Sequence, residues 1–304
     1  MNVLITGSGG FVGKRLAAAL KKKRHLVKEF SRGQGKDVRN FEHLKESVKG
    51  TDAVVHLAAE LDENSPELFS VNVDGTKNLL EAGAKAGVGK FIHLSSCGVM
   101  GKLKGKADEK TPVNPETKYE ESKAEAEKIV LSYQEIMPVM VLRSALVYGN
   151  NNYWRKIVRF IQRGFPLIGG GKNSWQMIYV DDLVSAIVFA LEQEESSGEI
   201  YIVAEEKGKK LRDVYEIIYR ELGIKKSVGS MPYSVAKLLS YFSLLKSKIL
   251  GGKTILTPAH VKRVVRERNY SIDKIKKLGW KPKYSTEQGI KEMLKEMREE
   301  KFIG

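Results

Sequence analysis

The sequence predicts an α/β fold, a doubly wound parallel sheet with a smaller, mostly helical C-terminal lobe. Short β-branched runs alternate with helical patterns, which is typical of a parallel sheet covered by helices. The chain has 304 residues, 42% of them hydrophobic, and is therefore long enough for a sizeable core and two domains. Strands are predicted at residues 2–6, 25–30, 53–57, 91–94, 139–142 and 199–203, and helices at 13–23 and 73–86 among others.

The order of these patterns predicts two interleaved domains. Residues 1–150 and 176–204 are predicted to form the sheet domain, because a strand and a helix return to the sheet after an excursion. Residues 151–175 and 205–304 are predicted to form the smaller, substrate-binding lobe.

A lysine-flanked apolar segment lies within the predicted lobe. In residues 233–250 apolar side chains recur at helical spacing. We interpret the segment as a buried lobe helix; the alternative is a helix at the surface of an anionic membrane. The surrounding residues 225–283 hold fifteen Lys/Arg against Glu267 and Asp273, much of the net charge of +15. A phosphorylated substrate, an anionic membrane or nucleic acid fits this charge, as does a solvated lysine-rich face.

The single cysteine and the apolar profile indicate the compartment. Cys97 cannot form an intramolecular disulfide, and the opening MNVLITG differs from a secretory signal. No apolar run approaches the roughly eighteen residues of a spanning helix. The predicted compartment is the reducing cytoplasm.

A glycine-rich turn, GSGGFVG, joins the first predicted strand to the first predicted helix. Gly7 permits a tight turn, Gly10 lets the backbone approach a pyrophosphate, and Gly13 lets the helix pack against the strand. The amides that begin the helix, including those of Phe11 and Val12, would face the phosphates. This arrangement predicts a Rossmann-type dinucleotide site.

The residues after the second predicted strand indicate which dinucleotide binds. NAD sites place a carboxylate there, which accepts hydrogen bonds from the adenosine ribose. This chain has Ser31 and Arg32 instead, and a guanidinium suits a 2′-phosphate. The sequence therefore favours NADP as the cofactor, with NAD as the alternative.

Motifs along nearly the whole chain resemble those of one enzyme family. In order they read TGSGGFVG, GKDVRN, HLAA, NVDGTKNLLEA, HLSSCGVMG, YEESK, VLRSALVYG, IYVDD and LGWKP. They resemble the extended short-chain dehydrogenase/reductase superfamily, also called the NAD-dependent epimerase/dehydratase family. The pattern around HLSSCGVMG is most similar to the dihydroflavonol-reductase, 3β-hydroxysteroid-dehydrogenase and hopanoid-associated branch, whose substrates are largely apolar.

The resemblance implies further cofactor contacts. The adenine-contacting segment corresponds to Asp37 and Val38, and the nicotinamide pocket lies near Ser144 and Val147. The wall of the cofactor site corresponds to Leu57, Ala58 and Ala59. The resemblance also suggests a homodimer.

A tyrosine and a lysine are the predicted catalytic pair. Tyr119 and Lys123 are four apart on a predicted helix, which Thr117 and Glu120 would open as a capping box. Tyr119 would exchange a proton with a substrate hydroxyl or carbonyl, while Lys123 lowers its pKa and holds the cofactor ribose. Both residues would thus contact the cofactor. Ser96, at the end of the family's fifth strand, would donate a hydrogen bond to the substrate oxygen.

Departures from the family narrow the predicted reaction. Family 4,6-dehydratases carry an acid pair directly after the active-site hydroxyl, where this chain has Cys97 and Gly98, so dehydration is not expected. Nucleotide-sugar epimerases commonly have an arginine where this chain has Trp175. Arginines of the basic segment could compensate for its loss: Arg263, Arg266 or Arg268.

The predicted function is an NAD(P)-dependent oxidoreductase that transfers hydride between nicotinamide and a secondary alcohol or ketone. The substrate is an apolar alcohol or ketone, for which Tyr153, Trp154, Trp175 and residues 233–250 are candidate pocket lining, or a nucleotide sugar. One alternative is an NAD-dependent nucleotide-sugar 4-epimerase. The other is a non-catalytic dinucleotide-binding protein that docks on RNA or membrane.

The sequence also leads to predictions about protein partners, nucleic acid and metal binding. The homodimer would form through the helices near 73–86 and 119–131, and nucleic acid is not an expected partner. A metal site is not expected, because His56 and His93 lie in predicted buried strands without further ligands at suitable spacing. We interpret both as core histidines.

Overall fold

The structure, a computed structural model, describes residues 1–193, 197–250 and 257–303. Within these ranges the strands are β1 (Asn2–Thr6), β2 (Leu26–Phe30), β3 (Ala53–His56), β4 (Lys90–Ser96), β5 (Val139–Ser144), β6 (Leu146–Tyr148), β7 (Leu167–Ile168), β8 (Ser174–Trp175), β9 (Met177–Tyr179), β10 (Glu199–Val203), β11 (Lys209–Lys210) and β12 (Ser230–Met231). The helices are α1 (Phe11–Lys22), α2 (Phe41–Val48), α3 (Gly75–Lys85), α4 (Lys118–Ser132), α5 (Asn152–Gln162), α6 (Val180–Glu192), α7 (Leu211–Glu221), α8 (Tyr233–Leu250), α9 (Pro258–Val264), α10 (Asp273–Leu278) and α11 (Thr286–Glu299).

Six strands form the predicted parallel sheet, in the order β10-β5-β4-β3-β1-β2. β1 lies between β2 and β3, so the chain winds outward from β1 in both directions. In such a sheet a crevice opens at the carboxyl ends of the strands where the winding reverses. Thr6 pairs with His56, and Ser96 pairs with Ser144, so the segments that follow these strands meet at one edge.

The observed strands and helices lie close to the predicted ones. β1 and β10 have the predicted bounds, whereas β4 and β5 each continue two residues further. α3 begins at Gly75, two residues later than predicted, because a π-helical turn covers Ser70–Asp74. A strand and a helix, β10 and α6, return to the sheet as predicted.

Buried side chains cover both faces of the sheet. Val3 and Ile5 belong to one core, and Leu4 between them belongs to the other, as the two-residue period of a strand requires. A further core joins α5, α7 and α11, with Trp154 at its centre. The division into two interleaved domains, with the bounds given above, stays a prediction.

α8 forms at the predicted residues, but the interpretation as a buried helix is wrong. Ala236 and Ser240 are fully buried, whereas Leu238 is 57% exposed and Phe242 is 60% exposed. Among the residues that the structure describes, neighbours cover the side of the helix that carries Ala236 and Ser240. In the described ranges, no helix is long and apolar enough to cross a membrane.

α11 passes directly over Tyr148. A Cβ on Gly289 would lie 2.1 Å from the Tyr148 hydroxyl oxygen, so only glycine fits at this point of the helix. The start of the helix is set separately, because Ser285 and Gln288 form a reciprocal capping box.

Candidate active site

The predicted glycine turn lies at the carboxyl end of β1. Gly7 has a φ of +73°, which L side chains rarely adopt, and a Cβ there would lie 2.7 Å from the Ala58 amide nitrogen. A Cβ on Gly13 would lie 2.2 Å from the Gly7 carbonyl oxygen. Only glycine fits at both positions. The missing side chains let the start of α1 lie directly against the turn.

The start of α1 has the features of a phosphate site. Gly10 is the N-cap, no side chain caps the helix, and its first turn holds no acidic residue. The Ser8 hydroxyl is buried without a hydrogen-bond partner among the described residues. Free amides at a helix N-terminus, here including those of Phe11 and Val12, fit a pyrophosphate. The residues present therefore fit a dinucleotide.

The segment after β3 lies beside this turn. The Leu57 amide donates to the Thr6 carbonyl at 3.1 Å, and the Ala58 amide donates to the Thr6 hydroxyl at 3.4 Å. Ala59 follows directly along the chain. The cofactor wall that the resemblance implies is therefore next to Gly7, and its contact with a cofactor stays a prediction.

Arg32 lies among carboxylates. Ser31 follows β2, and the Arg32 guanidinium after it is 3.0 Å from Glu67, 3.5 Å from Asp37 and 3.9 Å from Glu60. Sequence analysis missed Glu60 and Glu67, which come from the loop after β3. Negative charges at these distances would repel a 2′-phosphate. The surroundings of Arg32 thus oppose the argument for NADP, and the choice between NADP and NAD stays a prediction.

The two implied adenine contacts differ in their surroundings. Asp37 is held by Arg39, whose Nη2 lies at 2.6 Å, and this hydrogen bond lowers the pKa of Asp37 to about 2. Val38 is buried, and its Cγ2 lies 2.5 Å from where a Cβ on Gly75 would stand. Their roles toward adenine stay predictions.

α4 brings the predicted catalytic residues to the end of β4. Tyr119 and Lys123 lie one turn apart in α4, and Ser96 is the last residue of β4. The Ser96 hydroxyl accepts a hydrogen bond from the Gly98 amide at 3.0 Å. A Cβ on Gly98 would lie 3.1 Å from both Ser96 Oγ and Glu120 Cγ. The missing side chain at position 98 therefore lets the first turn of α4 approach Ser96.

Lys123 is buried and contacts a histidine. Its Nζ lies 3.1 Å from His93 Nε2, in a hydrogen bond that sequence analysis missed. Burial lowers the pKa of Lys123 to about 8, against the attraction of Glu127. Burial and the charge of Lys123 also lower the pKa of His93, and they bring that of His56 to about 3. Both imidazoles are core residues, as predicted, and both are neutral at pH 7.

Tyr119 keeps its proton in this arrangement. Burial raises the pKa of Tyr119 to about 12; the Glu120 carboxylate raises it further, and Arg263 lowers it. In the described part of the chain, no hydrogen bond joins the Tyr119 hydroxyl to Ser96 or Lys123. The positive charge that acts on the phenol thus comes from Arg263, where sequence analysis expected it from Lys123.

Thr117 caps α4 as predicted, but the predicted capping box is absent among the described contacts. The Thr117 hydroxyl accepts from the Glu120 amide at 3.3 Å. The Glu120 carboxylate accepts from the Glu116 amide at 2.9 Å and pairs with Arg266, and these contacts replace the expected one to Thr117. A residue of the basic C-terminal segment therefore holds the first turn of α4.

Two more basic residues reach the same edge. Arg263 pairs with Glu63 at 2.6 Å, and Lys262 pairs with Glu116 at 3.2 Å. Together with Arg266 they line a cavity of about 180 Å³ beside the start of α4.

Arg268 lies over Trp175, the residue at the position where nucleotide-sugar epimerases commonly have an arginine. Its guanidinium carbon is 4.9 Å from the Trp175 ring centroid, and its Nη2 donates to the Arg263 carbonyl at 3.0 Å. Its Nη1 is buried, with no hydrogen-bond partner among the described residues, and burial lowers the pKa of Arg268. An unpaired buried donor on a cation suits an anionic ligand.

The three aromatic residues that are candidates for the lining of an apolar pocket have different surroundings. Trp154 is fully buried, and its Nε1 donates to the Val147 carbonyl at 3.0 Å. Trp175 belongs to the same core, and its Nε1 donates to the Val264 carbonyl at 3.2 Å. Tyr153 is exposed. Core packing between helices accounts for the two tryptophans.

The implied nicotinamide residues follow β5. The Ser144 hydroxyl donates to the Ser95 carbonyl at 3.3 Å, next to Ser96. Val147, in β6, packs between the core of the sheet and the core around Trp154. Their roles toward nicotinamide stay predictions.

Asn72 holds α4 against the segment after β3, a role that sequence analysis missed. Its Nδ2 donates to the Ser122 hydroxyl at 2.9 Å and to the Glu60 carbonyl at 3.0 Å. Its Oδ1 accepts from the Glu60 amide at 2.7 Å. The sequence feature that could have indicated this role is the asparagine at the start of the motif NVDGTKNLLEA. This asparagine is buried in the structure.

The chain is similar to known proteins in sequence and in fold. The sequence pattern of the NAD dependent epimerase/dehydratase family matches residues 3–204. The chain belongs to this family. Membership makes it an enzyme of the epimerase/dehydratase group, and the residues of the glycine turn lie within the matched range.

Two curated relatives cover almost the whole chain. It is 29% identical to the N-acetyl-alpha-D-glucosaminyl-diphospho-ditrans,octacis-undecaprenol 4-epimerase of Escherichia coli O157:H7, over 95% of this chain and 93% of that protein. It is 28% identical to the 3-beta-hydroxysteroid dehydrogenase of Mycolicibacterium neoaurum, over 96% of this chain and 90% of that protein. Both an epimerase and a dehydrogenase are thus similar to it.

Solved structures share the fold. UDP-glucose 4-epimerase from Thermotoga maritima, solved with UDP-glucose, has a TM-score of 0.80 at 23% identity over 99% of both chains. A short-chain dehydrogenase/reductase superfamily protein from Agrobacterium tumefaciens, solved with bound NAD, has a TM-score of 0.78 at 20% identity, covering 99% of this chain and 98% of the other.

Proposed function

We propose that the protein is an NAD-dependent enzyme that oxidises and re-reduces a secondary alcohol carbon of a sugar carrying a diphosphate. The observation that carries this proposal is Arg268, whose buried Nη1 has no partner among the described residues. Its Nη2 donates to the backbone carbonyl of Arg263, whose own guanidinium pairs with Glu63 and lowers the pKa of Tyr119. A diphosphate held by these arginines would place an attached sugar near the predicted catalytic residues.

Tyr119 is the proposed general acid and base. Its hydroxyl oxygen would take the proton of the substrate hydroxyl during oxidation and return it during reduction. The nicotinamide supplies the hydride acceptor and donor. Arg263 is the cation that opposes the rise in the pKa of Tyr119. Lys123, one turn further along α4, would hold the cofactor ribose. Ser96 would donate to the substrate oxygen.

Dehydration is not part of the proposal. The Cys97 thiol is buried and donates to the Arg143 carbonyl at 3.3 Å, and burial raises the pKa of this thiol. Neither Cys97 nor Gly98 can supply the acid pair of a 4,6-dehydratase. A second candidate function, oxidation of an apolar secondary alcohol, is favoured by the similarity to the steroid dehydrogenase.

NAD is the proposed cofactor. The three carboxylates around Arg32 support it, and the Agrobacterium tumefaciens neighbour was solved with NAD. We expect the protein to bind NADH more tightly than NADPH in fluorescence titrations. A dissociation constant for NADPH equal to or below that for NADH would contradict this choice.

The Tyr119→Phe variant tests the catalytic role. We expect it to lose turnover by roughly two orders of magnitude or more, the scale of a missing general acid and base, while NADH binds almost as before. Turnover is measured on a panel of diphosphate-linked sugars and 3β-hydroxysteroids. The control is Tyr133→Phe at the end of the same helix. Wild-type turnover by the Tyr119→Phe variant would refute the role.

The Arg268→Met variant separates the two candidate substrates. A lost charged hydrogen bond costs about 1.5–3 kcal/mol, so we expect binding of UDP to weaken by about ten-fold to a hundred-fold. Arg163→Met, which changes an exposed arginine at the end of α5, should leave UDP binding unchanged. Unchanged UDP binding by the Arg268→Met variant, with turnover of a 3β-hydroxysteroid by the wild type, would favour the apolar alcohol.

A further inference from the structure

α8 packs on the protein through a face of small residues. Ala236 and Ser240 are fully buried, and Ser243 and Leu244 on the same side are partly buried. Ala236 lies in a cluster with Ile168 and Val261, so α8 rests on β7 and α9. Residues four, seven and eight apart share one helix face, so these four side chains are covered together.

The opposite face of α8 is apolar and exposed. Its side chains recur at helical spacing, so they form one continuous strip on the outside of the helix. The strip consists of Val235 (44% exposed), Leu238 (57%), Leu239 (44%), Tyr241 (54%), Phe242 (60%) and Leu245 (55%). Exposed apolar patches of this kind mark interaction surfaces.

The charge around the strip identifies its partner. The sequence has no carboxylate between Glu221 and Glu267, and α8 itself carries Lys237, Lys246 and Lys248. An apolar strip on a helix that carries lysines and no carboxylate complements an anionic lipid bilayer, whose interface accepts apolar side chains between negative headgroups.

A second copy of this chain fits the strip less well. A symmetric contact would place the same patch of both copies face to face. Lysines would then meet lysines, because this stretch has no carboxylate to pair with them. The balance of charge therefore favours lipid.

We propose that α8 docks the protein on the surface of an anionic bilayer, with its apolar strip in the interface and the exposed Lys237 at the headgroups. α8 packs on α9, and α9 carries Arg263, the residue that acts on Tyr119. Docking through α8 would thus bring this edge of the candidate active site near the membrane. The proposal does not depend on the substrate or cofactor proposed above.

Binding to vesicles tests the proposal. We expect the full-length protein to co-sediment with phosphatidylcholine vesicles that contain phosphatidylglycerol, more weakly with pure phosphatidylcholine, and less as salt rises. The Leu238→Gln/Phe242→Gln/Leu245→Gln variant should bind anionic vesicles at least about ten-fold more weakly. Its NADH affinity and melting temperature should match the wild type.

A control variant changes exposed apolar residues on other elements. Leu26→Gln/Ile136→Gln, at residues 70% and 64% exposed, should bind vesicles like the wild type. A second probe, Phe242→Trp, keeps the strip apolar, and its fluorescence should shift to shorter wavelength with anionic vesicles. This probe tests the strip even where the triple variant fails to fold.

Four results would overturn the proposal. They are no binding of the wild type to anionic vesicles at low salt, undiminished binding by the folded triple variant, an unshifted Phe242→Trp spectrum, and a wild-type dimer that the triple substitution dissociates. The last result would assign the strip to a second copy of the chain. Binding to RNA but not to vesicles would assign the lysines to nucleic acid instead.

Discussion

Lys123 is a buried cation whose hydrogen-bond acceptor, His93, is neutral. Its pKa falls from 10.5 to about 8, which means that burial disfavours the protonated form by about 3 kcal/mol in the folded chain. A lysine that is buried despite this free-energy cost is a candidate functional residue, since groups with strongly shifted pKa values cluster at functional sites.

The Lys123→Met variant is expected to lose turnover yet to unfold less readily at pH 7, by about 1–3 kcal/mol. The folded pKa lies below the unfolded one, so the wild type should gain stability as the pH rises from about 8 towards 10.5. The variant should lack this gain. Urea unfolding at several pH values measures both effects.

A matched control is Lys128→Met, an exposed lysine on the same helix. Its unfolding free energy should stay within about 0.5 kcal/mol of the wild type. A Lys123→Met protein that is less stable than the wild type at pH 7 would show that the ammonium contributes net stability, against this expectation.

At the level of elements, Glu205 joins β9, the end of β10 and α11. Its carboxylate accepts from the Met177 amide at 3.1 Å and from the Thr286 hydroxyl at 2.5 Å. Its backbone carbonyl accepts from the Gln176 side chain at 2.7 Å. Burial raises the pKa of Glu205 to about 7, although both carboxylate hydrogen bonds oppose this.

This contact predicts a pH dependence of stability. The folded pKa lies above the unfolded value of 4.5, so the folded chain holds the proton longer, and its stability falls as the pH rises from about 4.5 to 7. The Glu205→Gln variant should lose this decline and be more stable than the wild type at pH 8 by about 1–3 kcal/mol.

Thermal unfolding between pH 4 and 8 measures the effect. Glu206→Gln is the control, because the neighbouring Glu206 is exposed and pairs with Lys276 on the surface. If the Glu205→Gln protein shows the same decline over this range as the wild type, another group causes it.

For the whole molecule, the sheet and its order of elements could be predicted because their signals are local. Each strand is a β-branched run, and Gly7 and Gly13 are specified by contacts within the same strand–turn–helix unit. Tyr119 and Lys123 could be placed one turn apart for the same reason, since helical spacing is a property of the chain itself.

The surroundings of the site could not be predicted in this way, because they depend on residues far apart in sequence. Arg266 and Glu120 are 146 residues apart, and their ion pair replaces a predicted capping box. Glu67, 35 residues after Arg32, changes the interpretation of the cofactor. The pattern of α8 fits a buried helix and an exposed one equally well, and only the neighbouring elements decide between them.

Two expectations at this scale stay predictions, the interleaved domain bounds and a homodimer through α3 and α4. α3 and α4 flank the π-helical turn at Ser70–Asp74, which contains Asn72. A dimer formed there would therefore lie close to the residue that holds α4, with its predicted catalytic pair, in place.

The contact between Gly289 and Tyr148 determines in which register α11 can pack on the rest of the protein. Sliding α11 by one residue would bring Gln288 or Ile290 over the same ring, and each has a Cβ where there is room only for hydrogen. The cap at Ser285, one turn before Gly289, separately fixes the residue at which the helix begins. The last helix therefore has a single permitted placement, and two separate determinants would have to fail together before it could settle elsewhere.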